Sequence, residues 1–268
     1  MKKRIALITT FILSLLVSMQ VFAAAFTTTP IVPVRNYQSE ITATANSMEE
    51  MQNVMQQAFA AHADTVYVTS NAGNIFDATS AYLESQIGGQ IGNYNIHSCN
   101  GYQLSRNGKN YVITLYWLAT IPEEQVVDTY VQQTAESITS GTTYDKIRKV
   151  HDHIGNLTEY SNETAAGQAD YKSAYDAIVS QQTVCTGYAL LFQKYMDTLG
   201  IPCYTAAGTR NGGPHMWNVV NVEGQWYHID CTWDDQSSYI ATRWFLCGAD
   251  TAGYSTWGDI TLAPTTLK

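Results

Sequence analysis

The sequence predicts mixed helix and strand, with an αβ N-terminal region over 26–142 and a second region, from 143 on, in which helices precede short strands. Three observations carry this. Apolar residues recur at helical spacing in Met48, Met51, Met55 and Phe59, and again in Tyr188, Leu191, Phe192, Tyr195 and Leu199. Asn107-Gly108 separates two β-prone runs, a strong hairpin signal because a type I′ turn needs positive φ at both central residues. Four short β-prone runs then follow Leu199.

Taken in order, Ala24 to Tyr37 has no period and reads as an extended leader. Ser47 to Ala61 is a helix, and Ser47-x-x-Glu50 is its capping box. Thr65 to Thr69 is a strand, and Ala78 to Ile87 a weaker helix closed by Gly88-Gly89. The hairpin pairs His97–Arg106 with Asn110–Leu118. Thr120-x-x-Glu123 starts a helix with Pro122 in its first turn and Val127, Tyr130, Val131 and Ile138 on one face; Gly141 ends the unit. From Thr143, the residues Tyr144, Ile147, Val150, His151 and Ile154 give another helix, followed by a loop to Asp170. Cys185 to Leu199 is a helix stopped by Gly200 and Pro202. The strands after it are 203–208, 216–222, 226–233 and 243–248.

Composition weighs against several functions. The 268 residues are 45% hydrophobic, 12% aromatic and only 14% charged, the reverse of a disordered chain. Net charge is −9, and loss of the three basic residues Lys2, Lys3 and Arg4 with a leader takes it to −12. With no basic run left, the composition argues against nucleic acid as a partner and against an electrostatic membrane anchor. Residues 1–25 read as a signal peptide: Lys2-Lys3-Arg4, then a mostly apolar Ile5–Val21, then Ala23-Ala24-Ala25 at the cleavage site. The expected location is secreted or extracytoplasmic.

Five cysteines, Cys99, Cys185, Cys203, Cys231 and Cys247, leave at least one unpaired in a monomer. The other four allow up to two disulfides without selecting a connectivity. No Cys-x-x-Cys is present, so a structural zinc site is not expected. His151 and His153 lie two apart on a helix and point in different directions, which argues against a metal pair. Neither a metal nor another cofactor is expected.

Three residues carry the candidate chemistry. Cys185 stands at the first turn of its helix, where free backbone N–H groups and the helix dipole favour a thiolate and can hold an oxyanion. Gly187 keeps that turn uncrowded. His215 opens an apolar strand run. Asp230 falls in another, a costly place for an acid without a partner. A two-residue turn at Glu223-Gly224 pairs Val222 with Gln225, Trp217 with Asp230 and His215 with Thr232. His215 and Asp230 are then diagonal neighbours on one face, within reach of each other. A one-residue bulge would remove this relationship. His228, on the same strand face as Asp230, is a second possible partner for it.

The run Thr183-Val184-Cys185-Thr186-Gly187-Tyr188-Ala189-Leu190-Leu191-Phe192, then Gly200-Ile201-Pro202-Cys203, Gly208, His215-Met216-Trp217-Asn218-Val219-Val220 and Gly224-Gln225-Trp226-Tyr227-His228-Ile229-Asp230-Cys231-Thr232-Trp233-Asp234-Asp235 resembles the transglutaminase-like superfamily of papain-like thiol enzymes, in its bacterial secreted type. Tyr144 to Ile154 resembles the stretch before the core in such proteins. The likeness spans roughly 143–248, about half the chain. It implies an α+β, papain-like core, with the Cys helix packed on an antiparallel sheet. It also implies Cys185 as nucleophile, His215 as base and Asp230 as the residue that orients His215. No Trp lies between Trp117 and Trp217, and Val179 occupies the position where papain-like proteases carry Gln. The oxyanion is therefore assigned to the Cys185 backbone N–H, with its second donor open.

The expected domains are a signal peptide over 1–25, an αβ accessory region over 26–142 and a transglutaminase-like catalytic domain over 143–268. The expected activity is acyl transfer or hydrolysis at amide or peptide carbonyls through a thioester, as a cysteine protease, deamidase or crosslinking enzyme. The expected partner is a protein or peptide, with cell-wall association possible. The alternative is a non-catalytic protein-binding or cell-envelope module on the same fold.

Overall fold

The computed structural model describes residues 35–248, apart from 211 and 237, and the backbone of 254–256. The expected signal peptide lies outside the described residues. Among the described residues, no helix is long and apolar enough to cross a membrane.

The chain opens with β1 (Glu40–Ala45), α1 (Met48–Ala61), β2 (Thr65–Ser70), α2 (Phe76–Ile87), β3 (Ile91–Gly92), α3 (Tyr94–His97), β4 (Cys99–Asn107) and β5 (Asn110–Trp117). Ser47 caps α1 by accepting the Glu50 N–H at 3.1 Å, and the Glu50 carboxylate takes the Asn46 N–H at 2.6 Å. The sheet order is β1-β2-β5-β4, with β1 parallel to β2 and the other pairs antiparallel. Its inner face buries Val66, Val68, Ile113 and Leu115 against Met51, Met55, Phe59 and Leu83 of α1 and α2. The Asn107-Gly108 hairpin forms as expected, with Asn107 opposite Asn110 and Gly108 at φ +61°.

The second half contains α4 (Ile121–Ala135), α5 (Thr143–Leu157), β6 (Glu159–Tyr160), α6 (Asn162–Ala165), α7 (Ala174–Val179), β7 (Gln182–Thr183), α8 (Cys185–Leu199), β8 (Cys203–Arg210), β9 (Gly213–Val222), β10 (Gln225–Ile229) and α9 (Cys231–Asp234). The short pairs β11 (Asp235–Gln236) with β12 (Tyr239–Ile240), and β13 (Tyr254–Thr256) with β8, complete it. Capping boxes start α4 at Thr120 and Glu123, α5 at Thr142 and Asp145, and α7 at Ser173 and Asp176. The sheet runs β10-β9-β8-β13, and β3 also pairs with β8. One core joins α4, α5, α7 and α8 to this sheet through Val131, Val150, Leu191, Phe192, Tyr195, Val220 and Ile229. The architecture is α+β, with the Cys185 helix packed on the antiparallel strands β8 and β9.

Two expected strands are corrected. The run 226–233 is strand only to Ile229; Asp230 then caps the short helix α9. The run 243–248 is a series of turns with a single bridge, His228 to Cys247. Trp244, Phe245 and Leu246 are still buried. Apolar side chains can thus be buried without strand geometry, and Leu246 at φ +54° departs from it outright. The expected loop before Asp170 holds β6 and α6. All five cysteines are free thiols.

Candidate active site

Cys185 is the first residue of α8. The cap residue Val184 is extended and offers no side-chain hydrogen bond. Its carbonyl accepts the N–H groups of Gly187 at 3.0 Å and Tyr188 at 3.3 Å. The Cys185 and Thr186 N–H groups precede those donors, at the positive end of the helix. Gly187 is required by crowding. A Cβ there would lie 2.6 Å from the Ser173 carbonyl oxygen and closer still to the Thr183 hydroxyl. The Cys185 thiol is half-buried, whereas the other four cysteines are buried. Burial pushes the Cys99 thiol up to about 11 and the Cys203 and Cys231 thiols well above the ordinary range.

His215 lies near the start of β9. Glu223 and Gly224, at φ +52° and +88°, form the two-residue turn to β10. The register runs from Gln225 opposite Val222 to Ile229 opposite Asn218, the pairing that this turn length dictates. Asp230 follows directly. One of its oxygens, Oδ1, accepts the Trp233 N–H at 3.1 Å, and Oδ2 lies 2.7 Å from His215 Nε2. Asp230 is 1% exposed. Both oxygens are engaged, which makes burial of the carboxylate tolerable.

His215 stacks on Trp217, with ring centroids 5.9 Å apart and planes 16° apart, and meets the edge of Trp233 at 6.2 Å. Burial lowers its pKa, but the Asp230 hydrogen bond and charge and the neighbouring Cys185 thiol more than offset this, and it rises to about 9. His215 is therefore an imidazolium at neutral pH. His228 behaves in the opposite way. Burial lowers it to about 4, and its Nδ1 accepts the Trp217 indole N–H at 2.9 Å. Neutral His228 thus backs the ring on which His215 stacks.

The structure places Cys185, His215 and Asp230 in one cluster. His151 and His153 are kept apart from it. His151 is buried between Asp152 and Asp234, with Nδ1 2.9 Å from Asp152 and Nε2 3.2 Å from Asp234. His153 lies 3.2 Å from the Tyr130 hydroxyl. Three further residues neighbour the site, and the sequence reading assigns none of them a role there. Burial, and then the charge of Cys185, raise the pKa of Tyr160 on β6, so its phenol stands near the thiol. Tyr188, one helical turn after Cys185, donates to Asp235 at 2.5 Å, and its hydroxyl lies 3.1 Å from the Thr158 carbonyl. Tyr188 and Asp235 lie within the quoted motif runs, whereas nothing local flags Tyr160.

Comparison with known proteins agrees with the motifs. A family model described as the Transglutaminase-like superfamily matches residues 131–231. The Kyphoscoliosis peptidases of Homo sapiens and Mus musculus are each 31% identical, over 107 and 104 residues. Those alignments cover 34% and 33% of this chain but 16% and 15% of the relatives, so the chain spans about a sixth of the length of these curated relatives. A solved TGase overlaps with a TM-score of 0.36 at 16% identity, covering 73% of this chain and 60% of that one. On the family match and the ordered motifs within it, residues 131–231 of this chain form a domain of the transglutaminase-like superfamily.

Proposed function

We propose that this protein is a secreted thiol enzyme that attacks amide or peptide carbonyls, with Cys185 as nucleophile, His215 as acid and base, and Asp230 orienting His215. The observation that carries this reading is His215 held between the Asp230 carboxylate, 2.7 Å away, and the thiol at the start of α8. Because Asp230 engages Nε2, Nδ1 is left for Cys185. A positively charged His215 beside the thiol holds a proton for the leaving group.

In the first step the Cys185 sulfur bonds to the carbonyl carbon and the carbonyl oxygen takes negative charge. The Cys185 N–H stabilises that charge at the helix N-terminus. The C–N bond then breaks, the thioester remains, and the amine leaves with the proton of His215. In the second step His215 removes a proton from water or from a primary amine, which displaces Cys185. Water gives peptide hydrolysis or deamidation; an amine gives a crosslink. The half-buried thiol and the name of the human relative, a peptidase, support hydrolysis. The leader composition supports secretion, and the lack of a basic run supports a protein or peptide partner over nucleic acid.

The test is incubation of a casein digest with the full chain, with and without a primary amine, read by mass spectrometry. New termini, deamidated Gln or amine adducts that vanish in Cys185→Ala are expected. Unchanged peptides, together with Cys185 alkylation by iodoacetamide that rises only near pH 8, exclude the enzyme and leave a binding module.

A further inference from the structure

The His215 imidazole packs against Trp217 and Trp233, and Trp233 packs in turn against a buried cation. Arg210 ends β8 opposite Gly213, while Gly208 of the same strand faces His215. Arg210 and His215 therefore project from one face of the sheet. Arg210 is only 6% exposed. Its guanidinium carbon lies 4.1 Å from the Trp233 ring centroid and 3.7 Å from that of Trp244. We infer that Arg210 is a positioning residue: its guanidinium, seated between Trp233 and Trp244, keeps Trp233 against His215 and so fixes the imidazole beside Cys185. Arg210 acts through Trp233 and not on the substrate. This deepens the enzymatic reading above and rests on it.

Both rings are anchored on the turn that carries Asp230. Trp233 lies in α9, and its N–H binds Asp230 Oδ1 at 3.1 Å. Trp244 is tied to the same turn at both of its backbone groups. Its N–H donates to the Asp234 carboxylate at 3.0 Å, and its carbonyl accepts the Asp230 N–H at 3.1 Å. The two indoles meet edge to face, with 6.4 Å between centroids and 74° between planes. They form a corner, and the guanidinium seated there meets both. Backbone bonds fix where α9 lies, but they leave the Trp233 side chain a choice of rotamers. The ring is placed by what it packs on, which includes the Arg210 cation and His215.

A guanidinium suits this corner better than an ammonium. It is planar and weakly hydrated, so it stacks on an indole face and tolerates burial, and Trp is the aromatic partner that attracts a cation most. The chemistry depends on the result. Asp230 holds the imidazole at one atom, Nε2, across 2.7 Å. One hydrogen bond leaves the ring able to pivot about that atom and swing Nδ1 away from the thiol. The stack on Trp217 and the T-shaped contact with Trp233 at 6.2 Å oppose the pivot from two sides. Misplacing a reacting group by about 1 Å can cost about a hundredfold in rate.

The experiment compares the full chain with Arg210→Met, which keeps an unbranched side chain but neither charge nor plane, and with Arg210→Lys, which keeps the charge alone. Two quantities are read. One is the NMR signals of the His215 ring C–H protons, identified by their loss in His215→Ala and displaced by the ring currents of Trp217 and Trp233. The other is the rate of Cys185 alkylation by iodoacetamide at pH 5. In both variants the His215 signals are expected to move and labelling to slow roughly tenfold. Arg210→Lys serves if Arg210→Met fails to fold. Folded variants whose His215 signals and labelling match wild type, even with a lower melting temperature, overturn the proposal and leave Arg210 a support of the fold alone. Slow labelling of wild-type Cys185 at that pH overturns the enzymatic reading instead, and in that case unmoved His215 signals in the variants overturn the positioning as well.

Discussion

Asn218 donates its side-chain amide to the Ala189 carbonyl across 3.0 Å and so ties the strand of His215 to the helix of Cys185. The bond is buried, with Asn218 2% exposed. Asn218→Ala should cost about 1–3 kcal/mol in urea melts, the usual size for a lost buried hydrogen bond. It should also slow iodoacetamide labelling of Cys185 at pH 5, because the thiol and imidazole lose their common brace. A variant that melts and labels like wild type would show that the two elements are aligned by other contacts.

Stability should fall as pH rises from about 6.5 through 9. The folded His215 holds its proton up to about 9, whereas an unfolded His releases it near 6.5. The native state binds more protons across that window, so the contribution is whole below 6.5 and lost above 9. At 1.36 kcal/mol per unit it is on the order of 3 kcal/mol. Chemical denaturation of wild type and His215→Ala at pH 6 and 9 measures it; a stability difference that stays constant with pH sinks the assignment.

Asp230→Asn and Asp230→Ala should separate two roles of one side chain. Asn keeps an oxygen for the Trp233 N–H but removes the charge that holds His215 as an imidazolium. Ala removes both. Low-pH alkylation of Cys185 is expected to collapse in both variants, while thermal stability falls further in Ala, by about 1 kcal/mol. Equal melting of the two variants would refute the capping role.

Gly187→Ala should be among the most damaging single-methyl additions in the chain. The new carbon meets the Ser173 backbone carbonyl and the side-chain hydroxyl of Thr183. Overpacking of this kind costs about 1–3 kcal/mol. Differential scanning calorimetry gives the loss, and a melting point within experimental error of wild type contradicts the crowding.

His151→Phe should destabilise the fold without touching the thiol directly. Asp234 is fully buried, faces His151 Nε2 at 3.2 Å and accepts the Trp244 N–H at 3.0 Å. Removing the imidazole takes the His151 partner from the buried Asp234 side chain, a loss of about 1–3 kcal/mol. Urea denaturation should show it, and Asp234→Asn combined with His151→Phe should recover part of it.

Much of the candidate site is legible in the order of the residues because its determinants are short in range. The α8 helix follows from Tyr188, Leu191, Phe192, Tyr195 and Leu199 and from Gly200, at φ +67° in its C-cap. The nearness of His215 to Asp230 follows from a two-residue turn and the period of two along a strand. Local pattern misleads at Asp230 itself. It reads as an acid within an apolar strand, yet it ends β10 and caps α9. The two-residue strands β3, β6 and β7 leave no trace in the pattern, since a pair of residues has no period and exists as strand only through its partner. β1 is equally faint because Glu40, Thr42 and Thr44 alternate with residues as small as Ala43 and Ala45.

Residue order alone carries the main run of superfamily motifs from Thr183 to Asp235, the helix that presents Cys185 and the register that joins His215 to Asp230. What surrounds them is set by tertiary packing. Thr205 meets His97 across 108 positions, Asn218 reaches Ala189, and Ile87 and Leu118 line one cavity with Met216. The difference is one of range. Periodicity, caps and turns act through bonded neighbours and leave a local imprint, whereas a cavity is the space left between surfaces that burial of apolar area brings together from distant parts of the chain.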